Sequence, residues 1–155
     1  MDYYEQKAKI AYEKFQRGEP FKKVYAVVQK DNKFVVLKHN KGRYEFSLSG
    51  GRVEDGESNV DAVKREVLEE LNIKVEVKES LGFCRYVRTW RYQGKEFDVD
   101  HVAEIFLTEF VSFGENKKFG IEGEFDGKEM SIAEISREEM LEKVFEFKNG
   151  GIKFE

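Results

Sequence analysis

Three acids, Glu66, Glu69 and Glu70, stand at i, i+3 and i+4 behind a glycine-bearing stretch that opens at Gly50 and Gly51. On an ideal helix, with Glu66 at zero, Glu70 falls near ~40° and Glu69 near ~300°, so the carboxylates share an arc of roughly 100°. Val63, Val67, Val60, Leu71 and Leu68 occupy the neighbouring arc, between roughly 60° and 200°. One flank of such a helix is built for burial and the next presents three negative charges. Like charges at these spacings each cost a few tenths of a kcal/mol, so helix stability does not explain them. A solvated acidic face is the ordinary meaning of a glutamate cluster; the chemical alternative is a hard cation held by oxygen, as Mg2+ is held by carboxylates, water and substrate phosphates.

The residues around the acids favour the cation. The segment from Gly51 to Ile73, GRVEDGESNVDAVKREVLEELNI, resembles the signature of the Nudix hydrolases, G-x5-E-x7-R-E-U-x-E-E-x-G-U, with U a bulky aliphatic residue. Gly51 opens it, Glu57 is the first acid, Arg65, Glu66 and Val67 follow, then Glu69 and Glu70, and Ile73 closes it. Two positions depart from the pattern: Asn72 replaces the glycine, and Ser49 stands where a proline usually precedes the two glycines. Asparagine is the residue that most readily takes over a left-handed helix terminus from glycine, so the first change is tolerable.

The resemblance implies a pyrophosphohydrolase. It would use Mg2+ or Mn2+ to cleave the diphosphate bond of a nucleoside diphosphate linked to another moiety, with water attacking phosphorus. By position, Glu69 and Glu70 are metal ligands, Glu66 is a third ligand or the general base, and the Gly50 carbonyl adds an oxygen. Arg65 and Glu57 brace the carboxylates and Gly51 lets the main chain approach the ion. Family members often supply one more acid from a later loop, where Glu115, Glu122, Glu124 and Asp126 stand, and Glu124 is taken for this role. Lys38 and Arg43, flanking the strand that feeds the loop, are candidates for phosphate contact.

The elements that must position these groups are legible in outline. Tyr4, Ala8, Ala11 and Phe15 recur at helical spacing and Gly18 with Pro20 ends the run, so residues 2 to 17 read as a helix. This helix is an addition before the usual core that either packs on the domain or serves a homodimer contact. Strands follow near 22 to 29 and 33 to 39 across an Asp31-Asn32 turn. Ser58 is the N-cap of the acidic helix, which ends near Leu71. A strand near 73 to 78 leads into a long hairpin turning at Gln93-Gly94. Ser136 with Glu139 forms a capping box, and Ile135 with Met140 a hydrophobic staple, for a last helix from about 137 to 147. The expectation is an α/β fold of the Nudix type, a mixed sheet sandwiched between helices: residues 1–20 an N-terminal helical extension, and 21–155 a single hydrolase domain.

Alternation along RYVRTWRY sends Tyr86, Arg88 and Trp90 to one face of that hairpin. A base stacked on Tyr86 or Trp90, with Arg88 on a phosphate, is the functional reading; core packing of the rings is the structural one. The aromatic that often holds substrate near the C-terminal helix is absent, since Ala133 and Glu134 stand there.

Composition narrows the class. A net charge of −4 and a pI near 5.5 argue against a general nucleic-acid binder and toward a small-molecule nucleotide over a capped RNA end. No run has the length of a membrane span, and the N-terminus lacks the apolar core of a signal peptide, so no membrane association and a cytoplasmic location are expected. The one cysteine, Cys84, sits in an apolar segment. Prenyl diphosphate isomerases share the fold but alter the signature and use a cysteine, and the intact signature argues against that chemistry. A silent nucleotide sensor would usually have lost a carboxylate, and none is missing.

Overall fold

The computed structural model describes residues 2–40, 44–115 and 130–149. Helix α1 (Tyr3–Arg17) precedes strands β1 (Phe21–Lys30), β2 (Lys33–His39), β3 (Phe46–Ser47) and β4 (Ser49–Arg52). Helix α2 (Asn59–Leu71), strands β5 (Ile73–Tyr92), β6 (Lys95–Phe113) and β7 (Met130–Ile135), and helices α3 (Arg137–Lys143) and α4 (Phe145–Asn149) follow. The path β3-β2-β1-β6-β5 forms the sheet, with β4 added to β1 and β7 to β2. Among the described strands only the β1–β6 pair is parallel, so the sheet is mixed, as expected.

Strand β1 is buried on both faces, which is why FKKVYAVVQK lacks a clean polar alternation. Val24, Ala26 and Val28 meet Ala62, Val63, Val67 and Leu71 of α2 on one face. Val27 meets Met140 and Val144 from the C-terminal segment on the other. A third cluster, Ala8, Ala11, Phe21, Trp90, Phe97 and Val99, seats α1 on the β5–β6 hairpin. The result is an α/β/α sandwich. Val60, on the apolar arc of the helical wheel, is 40% exposed in the first turn of α2, outside the core cluster.

Local signals fix the helix ends. Asp2 caps α1, and Gly18 closes it at φ 69°. Ser58 accepts from the Asp61 N–H at 3.1 Å. Asn72 takes φ 55° and ψ 40°, the left-handed conformation expected of a residue that replaces a helix-ending glycine. Its side chain also donates to the Gly114 carbonyl at 3.2 Å, while Gly114 N–H donates to the Asn72 carbonyl at 2.8 Å. Asparagine thus ties the end of α2 to the end of β6, which glycine could not do with a side chain.

Two elements differ from the sequence reading. The strand expected near 73 to 78 is continuous with the hairpin, giving a 20-residue β5 whose register shifts at Lys74/Val75, Val77/Glu79 and Ser80/Gly82. These irregularities bend the strand, so Ile73 packs in the α2 core while Trp90 lies under α1. The last helix is broken at Val144, which adopts φ −77° and ψ 128°, is fully buried, and bridges to Phe46.

The break positions Glu146. Its carboxylate is buried and accepts from the Leu48 N–H, and burial pushes its pKa up to about 7. The folded pKa lies above the unfolded one, so the protein is stabilised below pH 4.5 and loses that contribution as pH rises toward 7. Glu146→Gln keeps an acceptor for Leu48 and removes the charge. The stability difference between variant and wild type should therefore grow between pH 4.5 and 7, toward a size on the order of 2–3 kcal/mol, and level off above. Denaturation curves of both proteins across that range check this, and parallel curves would refute it.

Candidate active site

Pairing of β4 with β1 brings the loop to the acids. Gly51 lies opposite Val24, and Gly50 opposite Tyr25. A Cβ on Gly50 would sit 2.1 Å from the Val24 carbonyl oxygen, so that position has no room for a side chain. A Cβ on Gly51 would sit 2.6 Å from Glu66 Oε1 and 2.8 Å from Oε2, because the Glu66 carboxylate lies directly over the bare glycine. Gly51→Ala should push that flexible side chain aside and leave the backbone in place. Turnover should fall by about 10- to 100-fold while the melting temperature changes little, read by kinetics beside thermal denaturation.

Arg65 organises the acids. Its Nε and Nη2 form a two-pronged contact with Glu57 at 2.8 and 3.0 Å, Nη1 donates to Glu66 Oε1 at 3.0 Å, and Nη2 donates to the Arg52 carbonyl at 3.0 Å. Glu69 is reached by Nη1 at 3.3 Å. The planar guanidinium suits this fork, which a lysine could not reproduce. Hydrogen bonding from Arg65 holds the Glu57 carboxyl below its usual range. Glu66 moves the other way: burial raises its pKa, partly countered by Arg65, with Glu69 adding to the rise and Lys7 opposing it.

Glu70 is held by the loop itself. Its Oε1 accepts from Ser49 Oγ at 2.9 Å and from the Gly50 N–H at 2.8 Å. Ser49, the residue in place of proline, is fully buried and contributes a hydrogen bond that proline could not make. Glu69 is the most open of the three acids, with 57% of its side chain exposed against 14% for Glu66.

The donor set fits a hard divalent cation. It consists of oxygen ligands only, three carboxylates from one helix beside a glycine main chain, with the Glu66 carboxylate seated on the bare Gly51 surface. Among the described residues no three acidic, imidazole or thiol side chains are already drawn around one point. Glu66 and Glu70 instead take Arg65, Ser49 and the Gly50 N–H as partners, as mutually repelling carboxylates do when positive or donor groups are within reach.

The family profile described as NUDIX domain matches residues 20–149 of this chain. The chain belongs to the NUDIX family. An ADP-ribose pyrophosphatase of Methanocaldococcus jannaschii is 39% identical to it over 61 residues, which are 38% of this chain and 36% of that protein, so the match spans about a third of the relative's length. A solved NUDIX hydrolase from Nitrosomonas europaea superposes with a TM-score of 0.56 at 25% identity, covering 81% of this chain and 78% of that one. An ADP-ribose pyrophosphatase from Streptococcus suis, at 18% identity and a TM-score of 0.53, covers 84% of this chain and 83% of its own and shares the fold.

Within this NUDIX domain, the substrate residues expected from sequence divide. Tyr86 is partly open and stacks on His101 at 4.9 Å, and the Arg88 guanidinium lies 3.9 Å above the Trp90 ring, so all three share a face. Trp90 itself is a correction. It is 1% exposed, donates from Nε1 to His101 Nε2 at 3.0 Å, and contacts Tyr4 and Phe21, so the covering helix α1 makes it core and leaves no ring face for a base. Lys38 is exposed on β2, in register with Phe46 and Ser131. Arg43, Glu122, Glu124 and Asp126 lie outside the described residues, and Glu115 is exposed just past β6. Cys84 packs against the cluster of Val27 and Ile105.

Sequence reasoning missed Lys7, Lys23 and Tyr25. Lys7 interrupts the apolar flank of α1 at i+3 from Tyr4 and i−4 from Ala11, a position where a cation is out of pattern. Tyr25 had no local signal: its place under Gly50 comes from the β1–β4 pairing. No helix among the described residues is long and apolar enough to cross a membrane.

Proposed function

We propose that this NUDIX domain is a metal-dependent pyrophosphohydrolase that cleaves the diphosphate bond of a nucleoside diphosphate linked to another moiety, with nucleotide sugars of the ADP-ribose kind as the leading class. The observation that carries the reading is the seating of Glu70 on the Gly50 N–H and of Glu66 over Gly51, with Arg65 bonded to both Glu66 and Glu69. The partial likeness to an ADP-ribose pyrophosphatase supports the substrate class.

Glu69 and Glu70 would hold Mg2+ or Mn2+ with the Gly50 carbonyl, and Glu66 is either a third ligand or the base. When bound, the ion offsets charge building on the diphosphate and makes water a stronger acid. Glu66 suits the base role because burial favours its protonated form, so a proton taken from water is well held. Glu124 is proposed as the additional loop acid. Arg65 fixes the Glu66 carboxylate through Oε1 and is itself fixed by Glu57, which spares the site reorganisation during the reaction. The substrate is a small nucleotide, and residues 1–20 form an extension to the hydrolase domain.

The test is product analysis over nucleoside triphosphates, nucleotide sugars, dinucleoside polyphosphates and capped oligonucleotides, with Mg2+, Mn2+ or chelator. Metal-dependent cleavage of nucleotide sugars to a nucleoside monophosphate and a sugar phosphate is expected. A folded protein that binds nucleotide and turns over nothing on the panel would overturn the hydrolase reading.

A further inference from the structure

The chain changes its partner strand at Leu48. Ser47, the residue before it, pairs with Leu37 of β2, and Ser49, the residue after it, pairs with Ala26 of β1. Leu48 belongs to neither ladder and is buried, so its N–H needs an acceptor that the sheet does not supply and bulk water cannot reach. Glu146 supplies it from the far end of the chain, 98 residues on.

The C-terminal segment is shaped to deliver that carboxylate. On an uninterrupted helix Val144 would lie about 40° from Met140 and Glu146 about 120° from it, so the acid could not face the sheet together with Met140. The extended backbone of Val144 resets the direction, and Met140, Val144 and Glu146 are all buried. Phe46 and Leu48 pack with Met140 and Val144 in one cluster, and Val144 bridges to Phe46. Side chains, backbone and one carboxylate of the same segment thus hold residues 46–48.

The stretch so held leads directly into the loop that meets Glu70. Alternation turns Leu48 toward α3 and α4 and Ser49 toward α2. Ser49 Oγ and the Gly50 N–H both donate to Glu70 Oε1, at 2.9 and 2.8 Å. Gly50 has no slack against β1, since a Cβ there would meet the Val24 carbonyl oxygen at 2.1 Å. A shift at Leu48 passes to both donors, because they sit on the next two residues.

We propose that Glu146 is a positioning residue of the metal centre: by accepting the Leu48 N–H, its carboxylate fixes the two residues that orient Glu70 and present the Gly50 carbonyl. The role needs an acceptor at that point rather than a negative charge. It rests on the reading that Glu70 and Gly50 hold the ion and is independent of the substrate class.

Titration of Mn2+ against the full chain, following the paramagnetic signal of the free ion well below each variant's melting temperature, tests this. Glu146→Gln keeps an oxygen for Leu48 and should bind the ion as wild type does. Glu146→Leu removes the acceptor and Glu146→Asp withdraws it by one methylene; each should weaken binding by about 10- to 100-fold, the range for loss of a group that orients a metal ligand. Val99→Ala, a truncation in the seat of α1, should lower the melting temperature and leave Mn2+ affinity at the wild-type value, which separates positioning from stability. Glu146→Asp keeps the test open should Glu146→Leu fail to fold. Wild-type affinity in folded Glu146→Asp or Glu146→Leu, or an equal loss in Glu146→Gln, would overturn the proposal. A wild-type protein that binds no Mn2+ would instead overturn the metal-centre reading, and the proposal with it.

Discussion

Glu66→Gln is expected to lower kcat by about 10^2- to 10^4-fold, the range for loss of a positioned base or its equivalent, with no loss of thermal stability. The Glu66 carboxylate is largely desolvated and its pKa is raised, so the neutral amide relieves a burial cost and still offers an oxygen to Arg65 Nη1. Glu69→Gln should also cost orders of magnitude in rate. That side chain is mostly exposed and contributes little to folding, since its contact with Arg65 is an open i, i+4 pair. The two variants separate the two roles left open for Glu66. A lost base leaves metal affinity intact, whereas a lost ligand weakens it, so kcat measured across a metal titration assigns the role. Near-normal turnover in either variant would remove the acidic arc from the chemistry.

Trp90→Ala should destabilise the protein by about 3–5 kcal/mol, the usual cost of truncating a buried large aromatic, and lower its melting temperature by roughly 10 °C or more. The indole fills the seat between α1 and the hairpin, against Tyr4, Phe21 and His101. Its loss would also remove the donor to His101 Nε2, in a ring whose Nδ1 already has no partner among the described residues. KM values for different nucleobases should keep their order. A variant with wild-type melting and a selective rise in KM for one base would restore Trp90 as a stacking surface.

Trp90 illustrates what the sequence could and could not convey. Strand alternation correctly grouped it with Tyr86 and Arg88, because a period of two is a local property of the backbone. Depth is not local: whether that face is open depends on a helix that starts at Tyr3, far earlier in the chain, and folds back onto it. The same division runs through the site. Ser58, Asn72 and the Gln93-Gly94 turn, with both turn residues at positive φ, were readable from neighbours along the chain. The three acids and Arg65 were readable from helical spacing and the family signature.

Contacts made by strand pairing were not legible. Ser49 on Glu70, the Glu66 carboxylate over Gly51, and Glu146 on Leu48 each join residues far apart in sequence. Nothing in SREEMLEKVFEF predicts that the helix breaks at Val144, because the break follows from burying that valine and bridging it to Phe46. Lys7 was visible as an irregularity on an apolar flank, but its relation to Glu66 depends on where α1 docks.

The most direct measurement of the central claim is titration of Mn2+ with the protein, following the paramagnetic signal of the free ion. Wild type is predicted to remove that signal with saturable stoichiometry, and the Glu69→Gln, Glu70→Gln double variant to leave it close to that of buffer alone while remaining folded. Equal removal of the signal by wild type and the double variant would contradict a divalent-metal centre on the acidic arc of α2.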